Sequence, residues 1–188
     1  MKLYVIRHGE SQNNLSKKWT GWANVSLTEK GYADAKKAGE VLKGITFDKI
    51  YSSDLIRAVE TAKTAIPGCE PILTSLIREI NVGDLSGQPL DILSPEDMAW
   101  AGEKGYHPWN GESGEEFTAR AEAFLQKMAE EETGVVAAFA HGGMLRRLLQ
   151  QVLGFHVPGS RILCGNCTVA IFEITPTSRR LHSWINVN

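Results

Sequence analysis

Three cysteines in 188 residues, Cys69, Cys164 and Cys167, are too few and of the wrong parity for a disulfide framework. Long apolar runs are missing too. The first is only Leu3-Tyr4-Val5-Ile6, closed at once by Arg7, which is too short for a secretory leader. No segment approaches the ~20 apolar residues that cross a bilayer. Charge of one sign is equally scarce: 20 Lys and Arg face 22 Asp and Glu, for a net charge of −2. That excludes the basic footprint of a nucleic-acid or anionic-membrane surface. The expectation is a chain in a reducing, cytoplasmic setting, with neither nucleic acid nor membrane as partner. Any anionic ligand must then be gripped by a few local arginines. No G-x-x-x-x-G-K-[ST] loop occurs, which excludes a P-loop NTPase. Neither H-E-x-x-H nor an Asp-rich cluster points to a metal, and no cofactor is implied. Cys164-Gly165-Asn166-Cys167 spells C-x-x-C, but it precedes an apolar run instead of following a βα turn. Ordinary strand-edge cysteines are the reading.

What is present has ordinary globular proportions, 43% hydrophobic and 22% charged. Short apolar runs alternate with helical patterns, predicting an α/β fold with a mostly parallel central sheet. Strands are expected at 2–7, 48–52, 71–73 (an edge, since Pro71 starts it), 135–140, 167–174 and 180–185. Helices are expected from Ser26-Leu27-Thr28-Glu29 to Leu42, over 54–62, over 115–130, and from Met144 to Leu153. Residues 78–114, rich in Gly and Pro, are too long for a plain connection and predict a functional excursion with short helices of its own. With no repeat, linker or low-complexity tract, one domain over 1–188 is expected.

Ligands of open α/β sheets sit beyond the carboxyl ends of the strands. Three proposed strands deliver polar groups there: Arg7-His8, Ser52-Ser53 with Arg57 just inside the next helix, and His141-Gly142-Gly143. A planar, permanently charged guanidinium grips phosphate oxygens bidentately, and strand-to-helix turns add N–H groups and positive helix ends. Gly9, Gly142 and Gly143 keep that approach clear of side chains. Between the arginines, a neutral imidazole would attack phosphorus, and a second, protonated imidazole would hold the transition-state charge. Glu10 and Glu79 are the candidates for the proton that the leaving alkoxide needs. A carboxyl beside bound phosphate has its pKa raised, as a general acid requires. Zinc on His8, Glu10 and His141 is disfavoured because Arg7 and Arg57 would repel it. Trp19, Trp22, Trp100, Tyr106, His107 and Trp109 could stack on a substrate ring near the mouth, with packing or lid anchoring the reading for most of them; one of Arg146-Arg147 could face the pocket, with solvated helix surface the preferred reading.

Arg7-His8-Gly9-Glu10, Ser52-x-x-x-x-Arg57-Ala58-x-x-Thr61-Ala62, Glu79 with Gly83 and Gly87, and His141-Gly142-Gly143 follow in order over nearly the whole chain. In this the sequence resembles the histidine phosphatase superfamily, the phosphoglycerate-mutase-like proteins. The resemblance implies a three-layer α/β/α sandwich, no metal and a catalytic phosphohistidine. It makes His8 the nucleophile and Glu79 the proton donor, with Arg7, Arg57, His141 and Gly142 completing the phosphate pocket. Asn14, from R-H-G-x-[ST]-x-x-N, would add a donor to the phosphate. The stretch from Arg7 to Gly31 is similar to bisphosphoglycerate-dependent mutases, where the segment around Thr20 and Gly21 helps hold the substrate carboxylate. Beyond Glu79 that likeness fades. The tyrosine those mutases carry three residues past the acid is Val82 here, and no Lys or Arg occurs between Glu79 and Glu103. A mutase must retain a highly anionic intermediate, which asks for extra cations and exclusion of water. The expectation is therefore a phosphatase of a small-molecule phosphate ester. A phosphoglycerate mutase and a non-catalytic phosphate-binding protein are the alternatives, and nothing in the sequence sets the oligomeric state.

Overall fold

The structure is a computed structural model that describes residues 1–158 and 161–187. Six strands form one sheet: β1 (Lys2–Arg7), β2 (Lys49–Ser53), β3 (Ile72–Thr74), β4 (Val135–Ala140), β5 (Val169–Thr175) and β6 (Ser178–Ile185), in the order β3-β2-β4-β1-β5-β6. The β1–β4, β2–β4 and β2–β3 pairs are parallel, whereas β5 and β6 join antiparallel. Edge strand β3 follows Pro71, as a residue unable to donate to a ladder requires.

Alternation along the central strands builds two cores. Leu3 and Val5 of β1, with Val136, Ala138 and Ala140 of β4, face α5 (Gly114–Glu131) and α6 (Gly142–Leu153), against Phe117, Phe124, Leu125, Leu145 and Leu148. Tyr4 and Ile6, with Ala137 and Phe139, face α2 (Glu29–Leu42) and α3 (Ile56–Ala65), against Ala35, Ala38, Leu42, Ala62 and Ala65. The result is the expected α/β/α sandwich. The small residues on α2 and α3 let both helices lie close to the sheet.

Local rules explain the helix starts. The Thr28 hydroxyl accepts from the Gly31 N–H, so α2 begins at Glu29 and not at Ser26. Ser113 and Glu116 make a reciprocal capping box at the head of α5. Helix α3 starts at Ile56, two residues later than the pattern suggests, because Asp54 is held by the Arg78 guanidinium. A short helix, α1 (Gln12–Leu15), has no counterpart in the sequence reading; Ser11 and Asn14 cap it reciprocally. The excursion contains three 3-10 turns, 83–85, 90–92 and 107–109, and one exposed helix, α4 (Pro95–Lys104).

Candidate active site

Register sets the rim. Arg7 of β1 lies opposite Ala140 of β4, and Ser52 of β2 opposite Phe139, so these parallel strands end level with one another. Arg7-His8, Ser53 and His141 therefore leave the sheet side by side, and Arg57 joins them from the first turn of α3. His8, Ser53, Arg57 and His141 are all buried.

His8 is held in one tautomer. Its Nδ1 lies 2.6 Å from the Gly9 carbonyl, which can only accept, so Nδ1 carries the proton and Nε2 a lone pair. The Arg57 Nε donates to that Nε2 at 3.3 Å. Arg57 NH1 and NH2 each donate to one carbonyl, of Ala23 and Gly21, both at 2.8 Å, holding the guanidinium beside the imidazole with one N–H left on each terminal nitrogen. Burial, then the charges of Arg57 and Arg7, push the His8 pKa well below 6.5. Burial also lowers Arg57, to about 10, still charged at neutral pH.

The His141 ring lies 5.2 Å from that of His8, centroid to centroid. Its Nε2 is 2.8 Å from the Ser53 hydroxyl, and burial with the Arg57 charge depresses its pKa as well. In the ligand-free site it is therefore neutral, where the sequence reading asked for an imidazolium. An arriving phosphate dianion would reverse that shift. Three buried side-chain polar atoms lack a hydrogen-bond partner among the described residues: Arg7 Nε, His141 Nδ1 and Trp19 Nε1. Two of the three belong to this rim. An orphaned buried polar atom costs about 1–3 kcal/mol; an anionic oxygen would satisfy the Arg7 Nε–H directly, and His141 Nδ1 where that nitrogen carries a proton.

Glu79 comes from the segment after β3, yet its carboxylate ends at the head of α6. The Gly143 N–H donates to Oε2 at 2.9 Å and the Ile80 N–H to Oε1 at 3.0 Å. Its charge supports both Arg7 and Arg57. Gly143 is needed at that spot, since a Cβ there would overlap Glu79 Oε1. At Gly142 a Cβ would crowd the Arg7 guanidinium, which explains the close approach of α6 to β1. Glu10 turns away toward α2, accepting from the Thr28 hydroxyl at 2.8 Å and facing Lys30 at 3.9 Å. Of the two carboxylate candidates, Glu79 is the one that meets the arginines.

Asn14 sits beside the rim as the last partner of the α1 capping box. Its Oδ1 accepts from the Ser11 N–H at 3.1 Å and from Asn166 Nδ2 at 3.3 Å. Gly21 contributes its carbonyl to Arg57, and the Thr20 carbonyl accepts from the Ser86 hydroxyl at 3.2 Å, tying this loop to the excursion. Among the described residues no group of three or more His, Cys, Asp or Glu could hold a metal ion, and no helix is long and apolar enough to cross a membrane.

Known proteins resemble this chain over most of its length. The family model of the histidine phosphatase superfamily (branch 1) matches residues 3–187. The chain belongs to that superfamily. A 2,3-bisphosphoglycerate-dependent phosphoglycerate mutase of Brucella melitensis is 37% identical over 174 residues, covering 81% of each chain. Phosphoglycerate mutase from Thermus thermophilus superposes with a TM-score of 0.79 at 31% identity, covering 100% of both chains. A mycobacterial glucosyl-3-phosphoglycerate phosphatase in complex with VO3 gives 0.85 at 27% identity, covering 97% of this chain and 98% of its own. The names of these superfamily relatives thus divide between mutase and phosphatase.

The structure also gives several residues uses that the sequence reading did not assign them. The Cys164–Cys167 turn is one: the Cys164 carbonyl accepts from Arg7 NH1, and Asn166 Nδ2 donates to the His8 carbonyl at 3.1 Å. Both thiols are buried and free, and burial pushes Cys167 up to about 12. The signal was the motif itself, whose value lies in its backbone and its asparagine. Trp22 and Arg120 both reach the Glu79 main chain. Nothing local marks either residue. Arg146 and Arg147 are half-buried: the first donates to the Ile162 carbonyl at 3.1 Å, the second to the Thr118 hydroxyl at 2.8 Å. Trp19, Tyr106, Trp109, Trp100 and His107 form a chain of edge-on or tilted ring contacts under the excursion, the packing use expected of most of them.

Proposed function

We propose that the chain hydrolyses a small phosphate monoester in two steps through a phosphohistidine at His8. The observation that carries this reading is the fixed tautomer of His8, its lone pair on Nε2 beside Arg57, next to the partnerless Arg7 Nε donor and His141 Nδ1. In the first step Nε2 attacks phosphorus and the ester P–O bond breaks. Arg7, Arg57, His141, the Asn14 amide and the Gly142 N–H hold the non-bridging oxygens, and Glu79 gives its proton to the leaving alkoxide. In the second, Glu79 as carboxylate takes a proton from water, the water oxygen bonds to phosphorus, and the N–P bond breaks to release phosphate. Two arginines and an imidazole that takes up a proton with the dianion supply the positive charge, so the reading needs no metal.

Hydrolysis is favoured over mutase chemistry by the excursion. Val82 is buried at the position next to Gly21, and no Lys or Arg lies between Glu79 and Glu103 to retain a bisphosphorylated intermediate. Water should reach the phosphohistidine instead. The mutase reading has its own support in the 37% identity to a curated mutase. In that reading Thr20 and Gly21 would face a substrate carboxylate.

The test is turnover of p-nitrophenyl phosphate in excess chelator, with acid-labile, base-stable phosphoprotein trapped in quenched samples. His8→Ala should abolish both signals, and full turnover by that variant would refute the reading. A coupled assay for interconversion of 2- and 3-phosphoglycerate, with and without 2,3-bisphosphoglycerate, should show none. Saturable phosphate-ester binding without any turnover would instead favour a binding protein.

A further inference from the structure

Residues 78–82 lie between two 3-10 turns and belong to no helix or strand, yet they carry the proposed general acid. Such a segment has no ladder of its own to hold it still, whereas an acid must stand within hydrogen-bond reach of one leaving oxygen. The answer in this fold is a clamp on the main chain. Arg120, in the second turn of α5, donates NH1 to the carbonyls of Leu76 at 3.0 Å and Arg78 at 2.7 Å, and NH2 to the Glu79 carbonyl at 3.0 Å. The same guanidinium pairs with Glu112 through Nε at 2.9 Å and NH2 at 2.8 Å, and the Glu112 carboxylate accepts from the Asn81 N–H at 3.2 Å. Both side chains are nearly buried, at 14% and 11% exposure. From the other side, Trp22 Nε1 donates to the Glu79 carbonyl at 2.7 Å, and the Arg78 guanidinium sits 4.8 Å from the centre of the Trp22 ring. Arg78 in turn forks onto Asp54, just past the end of β2, at 2.6 and 2.5 Å.

We propose that Arg120, together with Glu112 and Trp22, is a positioning device for the general acid, setting the reach of Glu79 through its backbone without touching substrate. The physical reason is the planar guanidinium fork. It fixes several carbonyls in one arrangement, which a lysine ammonium on its flexible stem cannot reproduce. The N–H groups of Gly143 and Ile80 then aim a carboxylate whose main chain is already fixed. The proposal rests on the phosphohistidine reading and adds where acid catalysis gets its geometry.

The test separates leaving groups. In the phosphorylation step, which kcat/KM reports, p-nitrophenolate departs without a proton whereas the alkoxide of glycerol phosphate needs one, so a misplaced acid harms the second substrate and spares the first. Arg120→Lys should lower kcat/KM for the alkyl ester by about 100-fold, as expected for a displacement of roughly 1 Å, with that of the aryl ester changed less than about threefold. Trp22→Phe keeps an aromatic face toward Arg78 and loses the N–H donor to Glu79. It should lower alkyl-ester kcat/KM by about tenfold with the same selectivity. Thermal unfolding is followed alongside, and because Trp22 is 38% exposed its variant carries the test if Arg120→Lys unfolds. Equal losses on both esters, or none on either, would overturn the clamp while leaving phospho-His8 intact. Wild-type protein that forms no phosphohistidine would overturn the reading beneath it.

Discussion

The strand-end rim and the excursion over 83–113 are built on opposite principles. The rim draws Arg7, His8, Ser53, Arg57 and His141 from the ends of a sheet buried on both faces, and each side chain is locked by partners inside the protein. The excursion consists of short 3-10 turns and α4, with Leu90, Ile92 and Met98 exposed, and it meets the rest of the molecule through backbone bonds such as Gly87 N to the Trp19 carbonyl, the Trp19–Tyr106 ring contact and the Glu112–Arg120 pair. The contrast teaches where change is tolerated. A proposed phosphate pocket that depends on sheet register cannot drift without unfolding the core. Surface turns beside it can vary at less cost to the core, and under the proposed phosphatase reading such a lid would set the leaving group accepted.

Three substitutions or titrations would break or sharpen that contrast. The largest effect is expected at Gly143, where an added Cβ must displace the Glu79 carboxylate. Gly143→Ala should cost about 100-fold in turnover of an alkyl phosphate while the unfolding midpoint stays near wild type. Unchanged turnover would mean that Glu79 is not the acid. Next comes pH. His8 and His141 are both held well below 6.5, so each is neutral when folded and takes up a proton on unfolding. Unfolding therefore consumes protons in the window below 6.5, and stability should fall as pH drops through it and level off above about 7.5. Asp54 and Glu132, depressed carboxylates, act only at lower pH. Calorimetry across that window should show the slope, and His141→Gln should flatten it; an unchanged slope would contradict neutral buried imidazoles. The smallest effect is expected on the lid. Gly102 is exposed inside α4, with open space where a Cβ would stand, so Gly102→Ala should stabilise the helix by about 0.5–1 kcal/mol and leave kcat unchanged. A lid variant that impaired turnover as much as Gly143→Ala would erase the distinction between the two regions.

Much of the rim was legible in sequence because its signals are local. The apolar runs at 2–7 and 135–140 match β1 and β4 residue for residue, and the polar residues just past them had nowhere to go except the carboxyl edge. Helix α2 was displaced only at its start, where Ser26 and Thr28 compete as caps and the Thr28 bond to Gly31 wins. Glu79 was legible as a carboxylate of interest, but its bonding to the head of α6 was not, since 64 residues separate it from Gly143. Arg120 and Trp22 were illegible for the same reason: an arginine on a helix face or a tryptophan in a loop has many ordinary uses.

The amino-acid sequence by itself determined the alternating elements, the two-sided burial of β1 and β4, and the residue types that reach the sheet's edge, because periodicity and capping act over a few residues. Only the tertiary structure decided which nitrogen of His8 is free, which carboxylate meets the arginines, and what holds the segment around Glu79. Each of those depends on a hydrogen bond whose geometry is set by packing, and that packing exists only once the sheet register and the seating of α5 and α6 have fixed both ends.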